Sequence, residues 1–363
     1  MTVIESIGTA TPAFRHSQEA LCSFLEANLP MEESSRMLMQ RVARSTSIEA
    51  RYSVIPDFSL PEKDWQFIRK HDGKFNLGDL EQRMALYFSE AQPLSLKAVS
   101  NLQPEGDFSD ITHLIAVTCT GLAAPGLDLM LMEALQLRSD TARSAVHFMG
   151  CYAAIHALRQ ADYICRANPK ARVLMVCAEL CTLHIQADAR PDNLASTLLF
   201  GDGAAAVMLC HADAAKSKPM FGLKSFASAV MPSEKKQMAW NLSSEGFRMD
   251  LGIFVPDLIG NGIEALLEGA AAGSGSPVQG WAIHPGGRKI LDKVAEGLKI
   301  PKEKLASGYD VLRSYGNMSS PTVLFVMKEE HRKMTQENRK GPVFSAAFGP
   351  GLSMESLMLA YVD

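Results

Sequence analysis

The stretch HFMGCYAAIHALRQADYICRANP constrains the fold most, because it joins a sharp turn, an apolar helix and a cysteine. Small and apolar residues recur over residues 153–161, which predicts a buried helix, and Asn168 with the following proline ends it. Gly150 allows a sharp turn, so we expect Cys151 in the first turn of the helix. Free N–H groups at a helix N-terminus stabilise a thiolate, the nucleophilic form. Taken alone, a cysteine in such an apolar context is more often a buried structural cysteine.

Two continuous apolar runs flank this helix: ITHLIAVTCTG, which contains Cys119, comes before it and ARVLMVCAEL after it. Such runs are typical of parallel strands covered on both faces, and strand, helix, strand is one βαβ unit. A polar stretch over residues 211–219 suggests a division into halves 1–215 and 216–363. Each half runs strand, helix, strand, with reactive side chains where ligands collect in an open α/β sheet. We therefore predict a duplicated α/β core, although no sequence repeat is visible.

Composition excludes several classes of protein. The formal net charge of −4 argues against nucleic acid as the main partner. No apolar run is long enough to span a bilayer, and MTVIESIGTATPAF has no basic region followed by an apolar run, so we expect neither a membrane span nor a secretory signal. The 7 cysteines follow no disulfide-framework or zinc spacing, which fits a reducing cytoplasm.

Three residues share one local setting, a position beside glycine at a strand–turn or turn–helix junction: Cys151 in MGC, His284 in IHPGG and Asn317 in YGNMSS. A thiol needs a neighbouring imidazole to be held as thiolate near neutral pH. An imidazole N–H and an amide supply donors to a thioester oxygen that becomes negative, and one such donor is worth about 3 kcal/mol of barrier. Cys151, His284 and Asn317 together therefore supply the nucleophile and the hydrogen-bond donors that acyl transfer needs. Considered singly, His284 is equally typical of a hydrogen-bonded core histidine, and Asn317 of a helix cap.

The motifs GCYAA, LFGDGAAA, WAIHPGG, SYGNMSS and AFGPG, in this order, closely resemble those of the type III polyketide synthases, the chalcone synthase-like family. The likeness runs from about Ala10 to the C-terminus. It implies an α/β thiolase-like duplicated αβαβα core, CoA thioester substrates, no metal or redox cofactor, and a homodimer. It further implies that Cys151 carries the acyl chain as a thioester, that His284 stabilises the thiolate, and that His284 and Asn317 bind the malonyl thioester carbonyl.

The same resemblance assigns residues of the reaction cavity. Phe200 matches the gatekeeping phenylalanine between the CoA tunnel and the cavity. Met249 falls where the family has a second gatekeeping phenylalanine, and its unbranched side chain predicts a softer wall. Trp240 replaces a small glycine of the plant enzymes, and His184 replaces a threonine often found in chalcone synthases.

Further candidates complete the predicted substrate site. Cys119 and Cys181 are expected beside the cavity, Cys181 because it is close to His184. Ala124 replaces a methionine that plant enzymes contribute across the dimer interface. Arg44 and Arg51, in the basic stretch RVARSTSIEARYS, are candidates for contact with CoA phosphates at the tunnel mouth. A solvated surface segment is the alternative interpretation of that stretch.

ELCTLH and MAW…GF are more similar to bacterial alkylresorcinol or alkylpyrone synthases than to plant enzymes. We therefore expect a fatty acyl-CoA starter, extended with malonyl-CoA and cyclised to an alkylresorcinol or alkylpyrone, with Trp240 closing the route for bulky aromatic starters. The alternatives are a single condensation like that of β-ketoacyl synthase III, and a chalcone synthase-like enzyme that uses aromatic starters. A non-catalytic acyl-binding homologue is a third possibility, against which the complete set of Cys151, His284 and Asn317 argues.

Overall fold

The computed structural model describes residues 1–102, 108–272 and 276–362. The strands are β1 (Thr2–Ala10), β2 (Phe14–Ser17), β3 (Ala50–Ser53), β4 (Arg69–His71), β5 (Lys74–Asn76), β6 (His113–Thr118), β7 (Ala142–His147), β8 (Arg172–Leu180), β9 (Asp202–His211), β10 (Phe221–Val230), β11 (Met238–Ser243), β12 (Gly246–Leu251), β13 (Gly280–Ile283), β14 (Pro342–Gly349) and β15 (Ser353–Tyr361). The helices are α1 (Gln18–Asn28), α2 (Glu33–Ser45), α3 (Leu80–Ser100), α4 (Leu127–Ala134), α5 (Ala153–Ala167), α6 (Pro191–Thr197), α7 (Val255–Ala271), α8 (Arg288–Gly297), α9 (Ala306–Tyr315) and α10 (Thr322–Gln336).

Nine strands form one mixed sheet in the order β13-β14-β15-β10-β1-β9-β8-β6-β7. The order is duplicated. In the first half β1 pairs antiparallel with β9, β9 antiparallel with β8, and β8 parallel with β6. In the second half β10, β15, β14 and β13 repeat these three relations. β1 and β10 join the halves at Val3 opposite Gly222 and Ile4 opposite Phe221. The structure thus confirms the predicted duplicated α/β core.

Alternation of side chains along the strands creates the layers. On β6, Ile115 and Val117 pack into a core with α5 and α10, whereas Leu114 packs on the opposite face with α3. On β15, Leu357 belongs to the same central core, whereas Met358 packs with α7 and α8. Because side chains of a strand alternate between the two faces of its sheet, helices cover both faces and the central helices contact both halves.

Three predicted reactive residues directly follow strands. Cys119 follows β6, Cys181 follows β8, and His284 follows β13. β6 and β8 are parallel, so Cys119 and Cys181 lie at the same edge, where an α/β sheet binds its ligands. β13 belongs to the second half of the sheet and runs opposite to β6 and β8, because β1 and β10 pair antiparallel where the halves join. Across residues 1–102, 108–272 and 276–362 no helix is long and apolar enough to cross a membrane.

Candidate active site

One cavity with a volume of about 890 Å³, including its opening to solvent, brings the predicted residues together. Most of its lining is apolar, and side chains from both halves contribute to it. The lining residues are Cys119, Thr120, Gly150, Cys151, Cys181, His184, Ile185, Gln186, Asn193, Ser196, Thr197, Leu199, Phe200, Met238, Trp240, Phe247, Met249, Leu251, His284, Gly286, Ile290, Asn317, Ser319, Phe348 and Pro350.

Cys151 lies in the turn that enters α5, not in the helix itself, because α5 begins at Ala153. Gly150 has φ +89°, and a Cβ there would meet Cδ of Pro350 at 2.2 Å. The backbone N–H of Gly150 donates to Sγ of Cys119 at 3.0 Å, which fixes the turn. The first helical N–H, that of Ala153, bonds to the Gly150 carbonyl at 3.0 Å. The expected alignment of that N–H with the Cys151 sulfur therefore does not occur.

His284 is buried immediately after β13, and its backbone N–H donates to the Ala346 carbonyl at 2.8 Å. Neither ring nitrogen has a hydrogen-bond partner among the described residues. Buried polar atoms of native proteins are normally paired, so an imidazole with both nitrogens unpaired in a cavity is suited to bind a ligand. This observation separates His284 from a satisfied core histidine.

Asn317 lies in the turn between α9 and α10, after Gly316 with φ +68°. Its Oδ1 accepts the N–H of Ser319 at 2.8 Å, and this bond orients the amide. Nδ2 lies 3.5 Å from the carbonyl oxygen of Gly286 and 3.9 Å from Sγ of Cys151. The amide N–H₂ group is therefore presented to the nucleophile and to the loop after His284.

Burial acts on the two titratable groups in opposite directions. It raises the pKa of the Cys151 thiol to about 11, although hydrogen bonds from Ser319 and Asn317 lower it in part. It lowers the pKa of the His284 imidazole to about 3. Each group alone is therefore uncharged at neutral pH. A thiolate in this cavity requires a positive partner, and proton transfer from Cys151 to an imidazole would create both charges together.

The predicted wall residues Trp240 and Met249 face the cavity and are cross-strand neighbours in the β11–β12 hairpin. Nε1 of Trp240 donates to the Cys119 carbonyl at 2.8 Å. This bond connects the hairpin, which belongs to the second half of the chain, to the residue that follows β6. Residues from both halves of the chain therefore form this wall of the cavity.

His184 lines the cavity with both ring nitrogens already occupied. Nδ1 accepts the N–H of Phe247 at 3.1 Å, so Nε2 carries the proton and donates to the Thr120 carbonyl at 2.8 Å. Burial lowers the pKa of the imidazole to about 3. His184 is thus a neutral wall residue that presents its ring to the cavity.

The other predicted residues differ in whether they line the cavity. Phe200 lines the cavity, and its backbone bridges to that of Asn317, so the predicted gatekeeper is held next to the site. Cys119 and Cys181 are buried in the lining. Ala124 is exposed in the loop between β6 and α4 and does not line the cavity of its own chain.

The prediction that Arg51 contacts CoA phosphates is wrong. Arg51 is buried, and its guanidinium donates to Gln18 and to the carbonyls of Thr197, Leu198 and Phe200. It connects β3 to the segment that carries the gatekeeper, and burial lowers its pKa to about 10. A charge with these partners is not available at the mouth of a tunnel.

Arg44, in the last turn of α2, is exposed and remains a candidate for phosphate contact.

Sequence reasoning missed Phe247 and Glu179. Phe247 lines the cavity, and its ring stacks on that of His184 with centroids 4.1 Å apart. Glu179 is fully buried behind Cys119, whose backbone N–H it accepts at 2.9 Å, and it also bonds to Thr120 and Ser320. Burial raises the pKa of this carboxyl. A lone acid at the end of the apolar run ARVLMVCAEL was the signal that could have found Glu179.

Comparison with known proteins agrees with this geometry. Residues 1–213 match the profile of chalcone and stilbene synthases, N-terminal domain, and residues 222–363 match the C-terminal domain of the same family. A relative named "Type III polyketide synthase A" from Arabidopsis thaliana is 29% identical over an alignment of 368 residues, which covers 98% of this chain and 91% of the relative.

A "Probable polyketide synthase 1" from Dictyostelium discoideum is 29% identical over 367 residues, but the chain spans only 11% of that protein's length. Among solved structures, the C-terminal type III polyketide synthase domain of Steely1, a type I/III hybrid from Dictyostelium, matches with a TM-score of 0.90 at 27% identity and covers 100% of this chain and 99% of that one. PKS-I of the brown alga Ectocarpus siliculosus also matches with a TM-score of 0.90, at 26% identity over 99% of this chain and 98% of that one.

Proposed function

This chain belongs to the chalcone and stilbene synthase family and is a type III polyketide synthase, and we propose that it extends a fatty acyl-CoA starter with malonyl-CoA. The product of the proposed reaction is an alkylresorcinol or an alkylpyrone. The observation that carries the chemistry is the juxtaposition, in one buried cavity, of the Cys151 thiol, the Asn317 amide 3.9 Å from it, and the unpaired His284 ring. We propose these three as the catalytic residues.

Loading comes first. His284 takes the proton of the Cys151 thiol, and the resulting thiolate attacks the thioester carbonyl of the starter. The new C–S bond forms as the bond to CoA breaks, and the CoA sulfur leaves with the electron pair and takes a proton. Thiolate and imidazolium stabilise each other, which offsets the burial that opposes either charge alone.

Extension follows at the same residues. An imidazole N–H of His284 and the amide N–H₂ of Asn317 donate to the thioester oxygen of malonyl-CoA. The malonyl carboxylate leaves as CO₂, and its electron pair forms the enolate that these donors stabilise. The enolate carbon then attacks the Cys151 thioester, the C–C bond forms, and the Cys151 sulfur leaves. The extended chain is now a thioester of CoA, and it returns to Cys151 by the loading reaction, with release of CoA. Repetition of these steps lengthens the chain before it cyclises.

The polarity of the cavity wall supports an aliphatic starter. His184 uses both ring nitrogens on backbone groups, and Trp240 uses its N–H on the Cys119 carbonyl. These residues therefore offer ring surfaces to a substrate. A hydroxyl group of an aromatic starter would lose hydrogen bonds to water against these two rings without replacing them, whereas an alkyl chain loses none.

The proposal includes CoA thioesters as substrates and a homodimer as the working form. Arg44 is the remaining candidate for the CoA phosphates, because it is exposed at the end of α2, which packs against α6. The exposed position of Ala124 supports the dimer, since its side chain is free to contact a second copy.

The test is incubation of the purified full chain with malonyl-CoA and a panel of starters from acetyl through long fatty acyl to coumaroyl-CoA, with products identified by mass spectrometry. The Cys151→Ala variant is the matched control and should form no product. We expect resorcinols or pyrones with long alkyl tails. A single-extension β-keto product would replace the proposal with the β-ketoacyl synthase alternative. Products from aromatic starters alone would overturn the fatty acyl starter.

A further inference from the structure

The turn of the β11–β12 hairpin is anchored to the first half of the chain beside the cavity. Nε2 of Gln186 donates to the carbonyls of Glu245 at 3.0 Å and Phe247 at 3.4 Å. The N–H of Leu80 donates to the Ser244 carbonyl at 2.9 Å. Gly246 has φ +100°, and a Cβ there would lie 3.1 Å from Nδ1 of His184. This close approach places Phe247 directly against His184.

Phe247 is held by aromatic rings on several sides. Its ring stacks on His184 at 4.1 Å and meets Trp240 at 5.7 Å and Phe148 at 5.0 Å, both edge-on. Its exposed fraction is 1%, yet it lines the cavity. The backbone bond from Phe247 to Nδ1 of His184 fixes the imidazole tautomer and ring plane, so the stack has one arrangement.

A second cavity lies next to the turn of this hairpin. Gln186 lines both cavities, and the second one is also lined by Arg83, Ser244 and Glu245, the last two of which directly precede the turn residue Gly246. Of these two cavities, Phe247 lines only the reaction cavity, so its ring belongs to the wall on the side of this turn. Shortening the side chain at 247 would therefore enlarge the reaction cavity at this wall.

We propose that Phe247 is a specificity-determining residue that forms the end wall of the acyl pocket, and that His184 is its positioning residue. The inference rests on the proposed function, because it names the part of the substrate, the free end of an aliphatic acyl chain, that meets this wall. An alkyl chain longer than the distance from Cys151 to Phe247 must displace the ring to bind. In an apolar pocket a change of one methylene alters kcat/KM about tenfold or more.

The test measures transfer of acyl groups to Cys151 by intact-protein mass spectrometry, with hexanoyl-CoA and palmitoyl-CoA as probes. The readout is the ratio of the rate with palmitoyl-CoA to the rate with hexanoyl-CoA. We expect Phe247→Leu to raise this ratio about tenfold. Phe344→Leu is the matched control, since Phe344 is equally buried but packs on Trp281 in another core. It should leave the ratio unchanged.

His184→Gln tests the positioning role, because glutamine keeps a polar side chain and loses the stacked ring. We expect it to raise the same ratio, and we expect the double variant with Phe247→Leu to raise the ratio no further than the larger single change, since the two residues form one wall. An unchanged ratio in a Phe247→Leu protein that is still acylated overturns the inference alone. A wild-type protein that no acyl-CoA acylates overturns the proposed function instead.

Discussion

At the scale of single residues, the site depends on a pair of groups that burial keeps neutral. Cys151 has its pKa raised to about 11 and His284 has its pKa lowered to about 3. A free thiolate at neutral pH would carry the full penalty of burial, whereas a thiolate beside an imidazolium would not. The reactivity of Cys151 should therefore depend on the imidazole.

Replacing His284 by glutamine tests this dependence. In the wild-type protein we expect alkylation of Cys151 by iodoacetamide to be fast at neutral pH. In His284→Gln the thiolate loses its positive partner, and the pH at which alkylation is half-maximal should move upward. At pH 7 the alkylation rate should fall about tenfold for each unit by which the pKa of the thiol rises. The measurement is the alkylation rate at each pH, from the mass of the peptide that contains Cys151.

The Cys151→Ala variant is the control for alkylation of other cysteines, because Cys22 is partly exposed and could react with iodoacetamide. Identical pH profiles for the wild type and His284→Gln would show that the imidazole does not support the thiolate.

At the scale of elements, the proposed catalytic residues Cys151 and Asn317 lie in turns that directly precede helices. The turn before α5 contains Gly150, which leaves no room for a side chain against Pro350. The turn before α10 contains Gly316, where a Cβ would lie 2.9 Å from the Leu199 carbonyl oxygen. Each glycine precedes a proposed catalytic residue, so the positions of Cys151 and Asn317 depend on these close backbone approaches.

Gly150→Ala should displace the Cys151 turn. The added methyl group meets Pro350, and an alanine at φ +89° carries a backbone penalty of about 1 kcal/mol or more. We expect a lower free energy of unfolding in urea and loss of acyl transfer to Cys151, measured by intact mass.

Gly73→Ala is the control, since Gly73 has φ +75° but nothing within 4 Å of its Cβ position. It should show only the backbone penalty and keep acyl transfer. Equal losses in both variants would mean that contact with Pro350 does not position Cys151.

At the scale of the whole molecule, the two halves share one core. α5 from the first half contacts β15 of the second, and α10 from the second contacts β1 and β9 of the first. The division at 215 and 216 stays a prediction. The far edge of the sheet is different, because β7 pairs only with β6 within the described residues. An edge strand presents free backbone groups to another chain.

A homodimer would cover this edge. The loop that carries Ala124 leads into α4, and an ion pair between Asp128 of α4 and Arg143 of β7 holds both at the same edge. We expect light scattering to give twice 39.5 kDa. Ala145→Arg, a bulky charge at an exposed position of β7, should shift the protein towards the monomer.

Ala167→Arg, at an exposed position at the end of α5, serves as the matched control and should leave the mass unchanged. A wild-type mass of 39.5 kDa at all concentrations would contradict the dimer.

The sequence by itself determined the family, the duplicated α/β core and the strands and helix around Cys151. Apolar runs such as ITHLIAVTCTG and the motifs around Cys151, His284 and Asn317 are local patterns, and local patterns follow from periodicity and turn chemistry. The family resemblance also predicted cavity positions for four residues, and all four line the cavity in the structure: Phe200, Trp240, Met249 and His184.

Only the tertiary structure decided which side chains are free to act. Arg51 and Arg44 are similar in the sequence, yet Arg51 is buried among carbonyls 146 to 149 positions away and Arg44 is exposed. His184 and His284 are both buried, yet His184 has both ring nitrogens bonded and His284 has neither bonded to any described residue. Such differences depend on contacts between distant parts of the chain, and the pattern of residues along one stretch does not encode the partner that folding brings to it.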